Sequence, residues 1–72
     1  MECLDLHGVD YEDAEFLIEK FVTDNFDDLP VKIISGNSRR FSDLIKEVVD
    51  RHDLQCHKEM WFNDGCWVIT DF

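Results

Sequence analysis

Two stretches of helical periodicity, matched in spacing and separated by a short β-branched run, constrain the fold of this chain most strongly. Between Asp10 and Phe26, residues Ala14, Leu17, Ile18, Phe21 and Val22 recur at the i, i+3, i+4, i+7, i+8 spacing of a helix with one apolar face. Asp10 suits an N-cap, and Glu12, Asp13 and Glu15 suit the positive end of the helix dipole, while Phe16 lies off the stripe. The second stretch carries Phe41, Leu44, Ile45, Val48, Val49 and His52 at the same spacing. Between them, Asp27-Asp28-Leu29-Pro30 breaks the first helix, and Val31-Lys32-Ile33-Ile34 reads as a strand buried on both faces. Two apolar helix faces of equal kind call for one shared sheet to cover them.

The remaining strands complete that sheet. Cys3-Leu4-Asp5-Leu6-His7 is a short strand ended by Gly8, with Leu4 and Leu6 on one face and Asp5 and His7 on the other. From Leu54 the period becomes two, and Asn63-Asp64-Gly65 reads as a hairpin turn between two final strands. Strands are expected near 2–7, 31–35, 54–62 and 66–72, and helices over 11–25 and 39–52. This βαβαββ order predicts an α/β two-layer sandwich. Right-handed crossovers put both helices on one face of a four-stranded mixed sheet and leave the other face open.

At 72 residues, the chain (1–72) has the size of a single domain with one modest core. No apolar run approaches the roughly 20 residues of a membrane span. The initial Met-Glu-Cys-Leu-Asp lacks the basic-then-apolar pattern of a signal peptide. Three cysteines without a CxxC pair argue for a reducing compartment, so a cytoplasmic location, no membrane partner and a monomer are expected. The formal charge of −10 works against phosphate binding, yet it is unevenly placed. Residues 1–30 hold ten acids and one base, whereas 31–72 hold seven acids and six bases, which leaves room for a basic site in the second part.

Candidate chemistry gathers at two strand ends. If the first two strands are parallel neighbours, His7-Gly8 and Ser35-Gly36 leave the sheet side by side, where ligands bind in α/β folds. The loop Ser35-Gly36-Asn37-Ser38 runs into a helix N-terminus, and Arg39 and Arg40 stand in its first turn against the dipole. Positive charge placed there is what a phosphate site requires; a solubilising role is the plainer alternative. Imidazole is the side chain whose ordinary pKa lies nearest neutrality, so His7 is the candidate general base. Asp5, about 6.6 Å away along the strand, would orient the imidazole or hold a metal; otherwise the two are only the solvent face of an edge strand.

Lys32 and Lys46 are weaker phosphate ligands. Trp61, Phe62 and Trp67 either stack bases or pack the sheet. His52, Cys56 and His57 lack the spacing of a zinc site, and no carboxylate cluster of two-metal type exists. No cofactor is expected. A divalent metal is optional.

Leu4-Asp5-Leu6-His7-Gly8 followed by a short acidic helix resembles the LDxHG signature of the Smr (small MutS-related) domain, and the similarity in element order extends over the whole chain. Ile33-Ile34-Ser35-Gly36-Asn37-Ser38 falls where that family has its Thr/His-Gly-x-Gly motif: Gly36 is kept, Ser35 replaces Thr or His, and Ser38 replaces the last glycine. The resemblance implies a fold like the C-terminal domain of translation initiation factor three. It also implies nucleic-acid binding and, in many members, endonuclease activity on RNA or DNA. Asp5 and His7 match the first motif, and Ser35, Gly36, Asn37, Ser38, Arg39 and Arg40 would bind nucleic acid. Two other functions fit the sequence: a non-catalytic RNA- or ribosome-binding module, and an acidic protein-interaction module using the first helix.

Overall fold

The computed structural model describes residues 1–60 and 63–71. Its elements are β1 (Cys3–Asp5), α1 (Tyr11–Asp24), a short 3-10 turn (Phe26–Asp28), β2 (Val31–Ile34), α2 (Arg39–Arg51), β3 (Gln55–Met60) and β4 (Asn63–Thr70). The sheet order is β1-β2-β4-β3, with β1 parallel to β2 and β4 antiparallel to both its neighbours. β3 therefore runs in the same direction as β2, so β1-α1-β2 and β2-α2-β3 are successive crossovers in one direction across the sheet. Equal handedness then places α1 and α2 together on one face of a two-layer α/β sandwich.

Register and burial identify the faces. Val31 pairs with Ile69 and Ile33 with Trp67, and all four are buried with Leu6 against the helices. Ala14, Ile18 and Val22 of α1 and Leu44, Ile45, Val48 and Val49 of α2 close this core from above. Fully burying each large aliphatic side chain contributes about 1.5–3 kcal/mol. Phe16, off the stripe in sequence, is 69% exposed.

Three expectations need correction. β2 is not buried on both faces: Lys32 and Ile34 are only half-buried, because no helix covers their side and Lys32 pairs there with Glu59 at 2.6 Å. The first strand is shorter than 2–7, since the chain turns after Leu6, whose carbonyl accepts the Val9 N–H at 3.0 Å, with Gly8 at φ +78°. Asn63-Asp64-Gly65 is not the hairpin turn. Those residues belong to β4, with Met60 opposite Asn63, and the register shifts between Lys58 and Met60.

Candidate functional site

β1 and β2 end level with each other: Asp5 pairs with Ile34, and the Leu6 N–H donates to the Ile34 carbonyl at 2.9 Å. His7 and Gly36 thus leave the sheet from adjacent parallel strand ends. Asp5 is engaged locally, its Oδ1 accepting the backbone N–H of His7 at 2.9 Å. The carboxylate shapes the turn at residue 7; it does not hold the ring. The His7 side chain is exposed, and its imidazole forms no hydrogen bond or ion pair among the described residues.

The second loop is built from hydroxyls and one carbonyl. Gly65 O accepts both the Ser35 N–H (2.9 Å) and the Gly36 N–H (3.1 Å). These two amides are consequently committed to β4 and do not cradle an anion. Ser35, 5% exposed, donates its hydroxyl to the Gly36 carbonyl at 3.0 Å and lies 3.3 Å from the Ser42 hydroxyl. The Trp67 indole N–H in turn donates to Ser42 Oγ at 3.2 Å. Gly36 takes φ +64°, a region that other residues enter at a cost. Ser38 caps α2, its hydroxyl oxygen accepting the Phe41 N–H at 3.2 Å. The amides of Arg39 and Arg40 in the first turn have no intrahelical acceptor.

The two arginines do not act on one spot. Successive residues of a helix diverge by about 100°. Arg40 turns toward α1, its guanidinium carbon 4.0 Å from the centroid of Tyr11, which stacks on Phe41 at 5.9 Å. Arg39 lines a cavity of about 470 Å3 with Asn37, Ser42, Asp43, Lys46, Lys58 and Trp67. Lys46 Nζ sits 4.7 Å over the Trp67 ring. Lys58 and Ser42 were not singled out from the sequence. The available signal was a lysine at a position of β3 that alternation assigns to the helix side, opposite Trp67.

Ion pairing separates the cations. Lys20 is bound to Asp24 (2.8 Å), Lys32 to Glu59 (2.6 Å), and Arg51 to Glu15 (3.1 Å), Glu19 (2.6 Å) and Glu47 (3.5 Å). Lys32 is thereby removed from the candidate phosphate ligands: its charge is matched, and it lies on the open sheet face. The Glu59 hydrogen bond raises the Lys32 pKa, and the Glu59 carboxyl falls below its ordinary value. Arg39, Arg40 and Lys46 form no ion pair among the described residues.

The suggested zinc trio is scattered. His52 Nε2 bonds Glu19 at 2.7 Å, Cys56 packs against the core with its thiol pKa raised by burial, and His57 faces the open side. No group of three or more metal-ligating side chains occurs among the described residues. Trp61 and Phe62, the other candidate stacking residues, lie outside the described residues. Within the described part, no helix is long and apolar enough to cross a membrane. Comparison with family models, curated proteins and solved structures finds no match to the chain.

Proposed function

We propose that the protein is a nucleic-acid-binding domain similar to the Smr domain, holding the phosphate backbone along the N-terminal half of α2. The observation that carries this is the segregation of charge. In a chain of net charge −10, Arg39, Arg40 and Lys46 have no carboxylate partner among the described residues and stand on one short helical segment. Unneutralised cations beside free first-turn amides attract phosphate through charge and hydrogen bonding together. Because Ser35 and Gly36 spend their amides on Gly65, side chains take over what a glycine-rich cradle would otherwise do.

Strand cleavage is a second activity of the same surface, favoured by the unengaged imidazole of His7 beside the loop. In that role His7 removes the proton from water or a ribose hydroxyl, while Arg39 neutralises the developing charge on phosphate. Asp5 contributes by fixing the backbone of residue 7.

Incubation with labelled single- and double-stranded RNA and DNA, with and without Mg2+, tests both activities. Salt-sensitive binding to at least one of the four is expected, and absence of binding to all of them contradicts the proposal. If cleavage occurs, His7→Ala lowers its rate by about 10²–10⁴-fold with affinity unchanged. Undiminished cleavage by that variant places the base elsewhere.

A further inference from the structure

We propose that the cavity beside Trp67 is a single-nucleotide site that takes one unstacked base of a bound strand, with the attached phosphate on Arg39 and Lys46. This rests on the nucleic-acid role above and specifies where that strand is gripped.

Size is the first argument. A volume of about 470 Å3 lies within the range of small-ligand pockets, suits one nucleotide and is too small for a duplex.

The second argument is the wall. Trp67, buried but for 6% of its surface, is fixed by its N–H bond to Ser42, which contacts Ser35, and lines the cavity beneath Lys46. One face of the ring is occupied by the Lys46 ammonium at 4.7 Å. That contact is weak and sits on a flexible four-carbon stem. A planar base can replace the ammonium on the indole, as bases stack on aromatic side chains in single-strand binders. The displaced ammonium then lies beside Arg39, where the phosphate of that nucleotide arrives. Asp43, the single carboxylate among the described lining residues, opposes a second phosphate, so the site fits a monophosphate unit better than a polyphosphate.

The chain has two tryptophans, and Trp61→Phe leaves Trp67 as the sole emitter. This variant is titrated with AMP, ribose 5-phosphate and a short single-stranded RNA, and the Trp67 indole N–H resonance of the unaltered chain is followed in parallel, so the test survives a poorly folding variant. AMP and RNA are expected to quench emission saturably and shift the resonance, ribose 5-phosphate to leave emission unchanged, and Arg39→Ala to weaken AMP binding about ten-fold. RNA binding with neither quenching nor a resonance shift overturns the nucleotide site and leaves the broader nucleic-acid role standing. AMP quenching without RNA binding supports the nucleotide site and removes the strand-binding role. Equal effects of ribose 5-phosphate and AMP overturn base stacking.

Discussion

The hydroxyl oxygen of Ser38 accepts the Phe41 N–H at 3.2 Å. It therefore anchors the helix that carries Arg39 and Arg40. Ser38→Ala is expected to lower stability by about 1 kcal/mol, whereas Ser38→Gly costs only a few tenths; chemical denaturation of the two variants checks the order. Gly36 is different. A Cβ there would meet no atom within 4 Å, so the cost of Gly36→Ala comes from its φ of +64° alone. About 1–2 kcal/mol is expected from the same denaturation measurement. That Asp5 lies on the exposed side of the first strand, away from Leu4 and Leu6, was legible from alternation, whereas His7 lies past the strand end, where the chain turns after Leu6. The partner of Asp5 was not legible: an amide two residues on competes with an imidazole, and the turn geometry decides between them. Lys58 was missed because alternation shows only which side of the sheet it takes, while its place opposite Trp67 at the cavity depends on the β3–β4 register.

At the scale of elements, α1 and α2 are joined by more than apolar packing. Arg51 reaches Glu15 and Glu19 across the helix pair, and His52 bonds Glu19 at 2.7 Å. The His52 hydrogen bond first, and Arg51 next, hold the Glu19 carboxyl below its ordinary value of 4.5. A carboxyl whose folded pKa is depressed stabilises the fold above the unfolded value, and that contribution is lost as pH falls through the folded one. Stability should thus decline below about pH 4.5, and His52→Ala should make that decline shallower; denaturation midpoints between pH 3 and 7 measure it. The helices themselves were legible because their stripes repeat so regularly. The hairpin was not, although Asn63-Asp64-Gly65 has turn composition. Pairing with β3 overrides it, with Asn63 opposite Met60, and the Gly65 carbonyl accepts the amides of Ser35 and Gly36. Likewise α1 stops at Asp24, and the Asn25 side chain donates to the Phe21 carbonyl at 2.8 Å before Pro30 is reached.

For the whole molecule, the layering, with both helices on one face of a mixed sheet, followed from the element order and crossover handedness, whereas the place of β4 between β2 and β3 did not. Charge was the less legible property. The count over residues 1–30 and 31–72 pointed to the second part, but only the ion pairs separate matched cations such as Lys32 and Arg51 from those such as Arg39 and Lys46 that form none among the described residues. That separation makes a small basic site compatible with a net charge of −10, because exposed acids more than a Debye length away are screened at physiological salt. The most direct measurement is the affinity for a short single-stranded RNA as a function of salt, for the wild type and for Arg39→Ala/Lys46→Ala. Each lost phosphate contact reduces the slope of log affinity against log salt by about 0.7. The account predicts weaker binding by the double variant and a slope shallower by about 1.4. The same affinity and the same slope in both proteins would contradict it.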